Sequence, residues 1–175
     1  MKASEIRKHI GYLKTSIENP TVGLPEEVFL FVTSVTPMVN VDLLIRDTEG
    51  RILLSWRDDD IEGCGWHVPG GILRLKESFD DRLEKTSLSE IGCRVKWSEK
   101  PLEMKPIIKL QEKIRCHFIT FVYACTLPDG FNPETDQSQK PGVAGYLKWF
   151  LQYPQDMLKV HAFYKKYFRL NEGKL

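Results

Sequence analysis

GWHVPGGILRLKE, Gly65 to Glu77, holds the strongest structural signal in the chain. Trp66 to Val68 reads as a short apolar strand that runs into Pro69 and the pair Gly70-Gly71. Ile72-Leu73-Arg74-Leu75-Lys76 then leads to a lone acid, Glu77. A glycine pair at that place means that the backbone turns tightly, lets something come close, or both.

The residues after Glu77 read as a helix. Ser78 with Asp81 forms a capping-box-like start, in which the hydroxyl accepts an orphan N–H and the acid suits the positive end of the dipole. Phe79 and Leu83, with Thr86 and Ser87, lie towards one face, and Gly92 is the expected stop. Cys93 to Trp97 resume a strand.

Ser4 to Ile17 reads as a helix capped by Ser4, with Ile6, Ile10, Leu13 and Ile17 at helical spacing. ENPTVGLP, residues 18–25, breaks the chain. The expected division is a helix and linker over 1–25 and one domain over 26–175. EVFLFVTSV, residues 27–35, reads as a strand. NVDLLIRDTEGRILLSWR, residues 40–57, reads as a hairpin turning at Asp47 to Gly50, with Gly50 taking a positive φ. DDDIEGCG reads as a polar loop. KPIIKL and RCHFITFVYACTL read as two strands joined by a short turn. Residues 128–145 form a loop, YLKWF a last strand, and Pro154 opens a closing helix through Met157, Val160, Phe163, Tyr164 and Phe168. Strands mixed with a few helices indicate α/β layering, a sheet sandwiched by helices.

Composition narrows the classes. With 175 residues, 42% of them hydrophobic and 28% charged, one domain of ordinary globular make-up is expected. The net charge is +1, and no Lys and Arg run supplies a nucleic-acid footprint. The longest apolar run, Phe118 to Leu127, is too short to span a bilayer. The charged N-terminus has no secretory h-region. Cys64, Cys93, Cys116 and Cys125 form no C-x-x-C pair and sit in or beside apolar segments. This points to buried free thiols in the cytoplasm rather than disulfides or a zinc site.

The segment GGILRLKESFDDRLEKTSLSEIGC, residues 70–93, resembles a Nudix box, G-x5-E-x7-R-E-U-x-E-E-x-G-U with U aliphatic. Gly71 opens it and Glu77 follows after five residues. Lys85 stands where Arg is usual, Glu90 is the last acid, Gly92 the stop and Cys93 the apolar end. The resemblance implies a Nudix-type α/β/α sandwich with a mixed sheet. Thr86 and Ser89 stand where the family carries metal-binding Glu. Three carboxylates on one helix face hold Mg²⁺ against a diphosphate; this chain keeps one, Glu90. Mg²⁺ commonly keeps few protein ligands, so phosphates and a backbone carbonyl can complete its shell.

Over residues 30–97 the pattern is similar to the GDP-mannose mannosyl hydrolase branch, whose box has lost the same carboxylates. Shared features are TPMVNVDLLIRDTEGRILLSWR, the Pro-Gly-Gly loop and RLEKTSLSEIG. That resemblance implies Glu90 as the side-chain Mg²⁺ ligand and the Gly70 carbonyl on the same ion. It implies Asp42 at the sugar end, and Arg57 on the diphosphate and leaving group. Water attacks the sugar carbon in that branch, and the nucleoside diphosphate departs whole. Two positions depart. Ile72 replaces an Arg, with Arg74 two residues on as a candidate for the same anion. Val143 and Ala144 stand near the branch's late-loop Gln-His pair, which removes its base and leaves Glu134 or Asp136 as candidates.

The residues also carry plainer readings. Glu77 reads as an architectural partner of Lys85. His67, His117 and His161 read as ordinary residues, and Trp56, Trp66 and Trp149 as core. The leading expectation is a Mg²⁺-dependent hydrolase of a nucleoside diphosphate sugar or related small molecule, with no nucleic-acid or membrane partner. One alternative is a Nudix-fold binding module without catalysis. Another is a conventional pyrophosphatase using Asp80, Asp81 and Glu84. The stripe of the N-terminal helix either packs a homodimer or covers the sheet.

Overall fold

A computed structural model of the protein describes residues 2–133 and 142–168. At its centre lies β1, Met38–Ile45. It runs parallel to β7, His117–Thr126, and antiparallel to β4, Gly70–Ile72. β5, Lys96–Trp97, and β6, Glu103–Ile108, both pair antiparallel with β7. This is the expected mixed sheet, with β4 at one edge. A second, antiparallel sheet places β2, Ile52–Asp59, between β3, Gly63–His67, and β8, Leu147–Phe150.

The expected hairpin forms its turn but not its ladder. Gly50 has φ 80° and its N–H donates to the Asp47 carbonyl at 3.1 Å, and the Asp47 carboxylate accepts the Glu49 and Arg51 N–H groups. Beyond the single Arg46–Ile52 bridge, β1 and β2 part into different sheets. The reason lies in their composition. Val41 to Ile45 and Ile52 to Ser55 are buried at every position, so each strand needs cover on both faces. A two-stranded ribbon cannot give that. Two clusters supply it, one around Leu43, Leu53 and Leu83 and the other around Leu44, Leu54 and Tyr164.

Residues 27–35, expected as a strand, belong to helix α2, Glu26–Val35. An apolar run of that length fits either period. The flanks decide it: the Pro25 carbonyl accepts the Phe29 N–H at 2.8 Å, and Glu26 and Glu27 sit at the positive end of the dipole. Helix α1, Ala3–Thr15, is capped at Lys2 rather than at Ser4, the Glu5 carboxylate accepting the Lys2 N–H at 2.8 Å. None of its residues is buried, so its stripe of Ile6, Ile10 and Leu13 does not cover the sheet.

The closing helix is later and tighter than expected. After Pro154 the chain makes a short turn and docks on β3: the Trp66 N–H donates to the Asp156 carbonyl at 2.8 Å, and the Leu158 N–H to the Trp66 carbonyl at 2.9 Å. A 3₁₀ helix, Lys159–Tyr167, follows. The strand expected over 93–97 shrinks to Lys96–Trp97. The four thiols are free, but only Cys125 is buried and Cys64 is exposed. No helix among the described residues is long and apolar enough to cross a membrane.

Candidate active-site cleft

Helix α3, Phe79–Thr86, carries the predicted cap: Ser78 Oγ accepts the Asp81 N–H at 3.1 Å and the Asp81 carboxylate accepts the Ser78 N–H at 3.0 Å. It then widens into a π turn, Ser87–Ile91, and stops at Gly92 with φ 82°. This turn, β4 and the linker between α1 and α2 border a cleft of about 870 Å³. Asp42, Arg57, Gly70, Gly71, Arg74 and Glu90 all line it.

The glycine pair is there for closeness and not for a turn. Neither residue has a positive φ. A Cβ on Gly70 would collide with Asp42 Oδ1 and stand 2.9 Å from the Val41 carbonyl oxygen, and one on Gly71 would collide with Thr86 Oγ1. The Leu43 N–H donates to the Pro69 carbonyl at 2.8 Å and the Leu73 N–H to the Val39 carbonyl at 2.9 Å. Positions 69, 71 and 73 therefore bond to β1. Gly70, opposite Asp42, turns its own carbonyl away from β1.

Asp42 is 2% exposed, on the strand at the middle of the sheet, so it is no surface edge. Its Oδ2 accepts from Thr120 Oγ1 at 2.6 Å and from the Tyr164 hydroxyl, and its Oδ1 from Asn40 Nδ2 at 2.5 Å. Burial pushes its carboxyl up to about 6, against the pull of these donors. The sequence reading missed all three donors. The signal was available: an acid inside an apolar strand needs donors on its own face, and Thr120 interrupts the neighbouring apolar run.

The Glu77 side chain is buried and saturated. Arg82 Nε donates to it at 2.8 Å, Arg82 Nη2 at 2.5 Å, Lys85 Nζ at 2.8 Å and the Arg74 N–H at 2.9 Å. Its carboxyl falls to about 2; burial opposes that shift and these donors outweigh it. The expected Lys85 partner is there, but the main partner is the buried Arg82, which sequence reasoning passed over. Arg74 does not reach freely into the cleft: its guanidinium donates to the Val22 carbonyl and lies against Gly23.

Glu90 behaves differently. It is half-buried, and burial raises its carboxyl while Arg57 opposes the rise. His67 Nε2 stands 4.0 Å from Glu90 Oε2. Arg57 lies 3.5 Å from Asp59 Oδ2, so it serves both a surface acid and the cleft. His67 was expected to be ordinary, yet it lines the cleft, is 4% exposed, and neither ring nitrogen has a hydrogen-bond partner. Burial, followed by Arg57, lowers it to about 3. His161 Nδ1 accepts the Val68 N–H at 3.2 Å, which leaves the proton of the neutral ring on Nε2. Its ring stacks on Tyr164.

Ala144 and Gly145 of the late loop border a smaller recess of about 340 Å³, shared with Arg57, His67 and Glu90. Glu134 and Asp136 lie outside the described residues. Asp80, Asp81 and Glu84 do not line the cleft: they engage Trp97 Nε1, Ser78 and Arg94. Trp66 packs at 4.7 Å on Phe150 and at 5.1 Å on Trp56, as core.

Among the described residues no three His, Cys, Asp or Glu side chains converge as a metal cluster. Of the carboxylates that line the cleft, Asp42 is taken by three donors and Glu62 by Lys109, which leaves Glu90 and the outward carbonyl of Gly70. That donor set suits a hard cation that keeps most of its own water or takes phosphate oxygens.

No protein-family model matches the chain. Over 82 residues it is 32% identical to the low-salt glycan biosynthesis protein Agl8 of Haloferax volcanii, a match covering 47% of this chain and about half, 52%, of that protein. A MutT NUDIX hydrolase from Burkholderia pseudomallei superposes with a TM-score of 0.58, at 21% identity over 75% of this chain and 97% of that one. A UDP-X diphosphatase gives 0.54, at 22% identity over 93% and 75%. A NUDIX hydrolase from Nitrosomonas europaea gives 0.53, at 20% identity over 75% and 70%. At such identities a shared architecture is what the likeness establishes: the chain has the Nudix fold.

Proposed function

We propose that the protein is a Mg²⁺-dependent hydrolase of a nucleoside diphosphate sugar of the GDP-mannose type, with water attacking the sugar carbon. One observation carries the reading. Glu90, the outward Gly70 carbonyl and Arg57 line one cleft, with Asp42 on its floor and about 870 Å³ of space. Two of the similar proteins, one named for glycan biosynthesis and one a UDP-X diphosphatase, support a sugar nucleotide as the substrate class.

Glu90 and the Gly70 carbonyl would hold Mg²⁺. When bound, the ion neutralises charge that develops on the leaving diphosphate. Arg57 binds diphosphate oxygens and adds a second fixed positive charge. Asp42 holds the Thr120 and Tyr164 hydroxyls in place at the sugar end. Arg74 stays tied to the linker through the Val22 carbonyl at the border of the cleft. The nucleoside diphosphate leaves with the electron pair of the broken carbon–oxygen bond.

A second reading, a nucleotide-binding module without catalysis, is favoured by the lack of a three-carboxylate cluster among the described residues. The test is a panel of nucleotide sugars with Mg²⁺ in oxygen-labelled water, products read by mass. Label in the free sugar supports attack at carbon. Label in phosphate converts the reading to a pyrophosphatase, and tight binding without product converts it to a binding module.

A further inference from the structure

The reaction scheme gives His67 no part. His67 is 4% exposed, lines both the cleft and the recess under Ala144 and Gly145, and has neither ring nitrogen bonded. A buried polar group without a partner is costly, and an unfilled one calls for an explanation. Strand alternation supplies the direction: Trp66 enters the core cluster and His67 takes the opposite face.

Nε2 of His67 and Oε2 of Glu90 are 4.0 Å apart, too far for a hydrogen bond. A single divalent ion bonds a nitrogen and a carboxylate oxygen at about 2.0–2.2 Å each, so a gap of this width admits one ion between them. Glu90 is the more exposed of the two and can close the angle. The backbone of Ser55, opposite His67 on β2, lies beside the ring without meeting hydrogen-bond geometry. A small tilt of the ring would give its second N–H that acceptor, as metal-bound imidazoles require.

We propose that His67 Nε2, the Glu90 carboxylate and the Gly70 carbonyl form a mixed nitrogen–oxygen site for a first-row transition ion such as Mn²⁺ or Zn²⁺. The chain holds this ion before a nucleotide arrives. The site rests on the reading above for its two oxygen donors. Mg²⁺ gains from those oxygens and from substrate phosphate, whereas the imidazole adds affinity for the softer ion.

The test is Mn²⁺ titration of the nucleotide-free protein by electron spin resonance, with spin-echo detection of nitrogen coupling. Bound Mn²⁺ should show one directly coordinated imidazole. In His67→Gln that coupling should vanish and Mn²⁺ affinity fall about tenfold or more, while Mg²⁺ affinity stays within about twofold. Bound Mn²⁺ without nitrogen coupling, coupling that survives in His67→Gln, or no Mn²⁺ binding each overturns the site. If His67→Gln does not fold, the wild-type chain decides. Substoichiometric Mn²⁺ must broaden the ring resonance of His67 before those of His9, His117 and His161, and any other order overturns the proposal. Nitrogen coordination without hydrolysis of any nucleotide sugar keeps the site and removes the reaction; hydrolysis with oxygen-only coordination does the reverse.

Discussion

Glu77 and Glu90 stand at opposite ends of one helical segment and have opposite fates. Glu77 accepts from Arg82, Lys85 and a backbone N–H, and its carboxyl falls to about 2. Glu90 has no donor within hydrogen-bond reach among the described residues, and burial raises its carboxyl. The difference separates two kinds of work. A saturated carboxylate fixes a loop, and its lone pairs are spent. An unsatisfied one faces a cleft with lone pairs still to give.

Five measurements separate the two carboxylates. Glu77→Gln should cost the most stability, about 3–5 kcal/mol, because it leaves Arg82 buried with its charge uncompensated. A urea midpoint equal to wild type would show that Glu77 is not the anchor. Glu90→Gln should leave the thermal midpoint near wild type while turnover of a nucleotide sugar falls about 10²–10³-fold. Equal turnover would remove Glu90 from the site. Gly70→Ala should cost about 1–3 kcal/mol by pressing on Asp42 and the Val41 carbonyl, read by the same urea titration.

Acid should act on the saturated end. The carboxyl of Glu77 is depressed from 4.5 to about 2, so its contribution is complete above pH 4.5 and is lost as pH falls towards 2. His67, depressed from 6.5 to about 3, adds a loss that begins below pH 6.5. Asp42, raised from 3.8 to about 6, runs the other way: its contribution is complete below pH 3.8 and is lost as pH rises through 6. Thermal midpoints against pH should therefore fall in acid, and Glu77→Gln should flatten the limb below pH 4.5. Lys85→Ala is the smallest change, under about 1 kcal/mol, since its ammonium is more than half exposed. A larger loss would make Lys85, and not Arg82, the partner that matters.

The box was legible because its signals are local. Ser78 and Asp81 cap within one turn, Gly92 needs a left-handed backbone, and Gly71 to Glu77 is fixed spacing. What failed was non-local. Residues 27–35 carry no periodicity that tells strand from helix, and only Pro25 and the two Glu at the flank decide it. The run through Asp47 to Gly50 signals a turn truthfully but says nothing of which strands pair, and burial on both faces sends β1 and β2 to separate sheets. Arg82 drew no reading, because nothing in its neighbours shows that a guanidinium on a charged helix will be buried. His67 looked ordinary because a sequence does not show that a ring will be sealed without partners.

Thr86 limits how this chain could be retrofitted with the acids it lacks. Its hydroxyl occupies the space that a methyl on Gly71 would claim, and the residue is essentially sealed. A glutamate grafted there borders the cleft but must grow from a sealed position pressed against Gly71. Ser89, on the π turn, borders open volume and would accept one. A designer seeking a second acidic ligand thus has an open address at Ser89 and a tight one at Thr86, and the wide turn rather than ideal α-helical spacing sets where a ligand at Ser89 points.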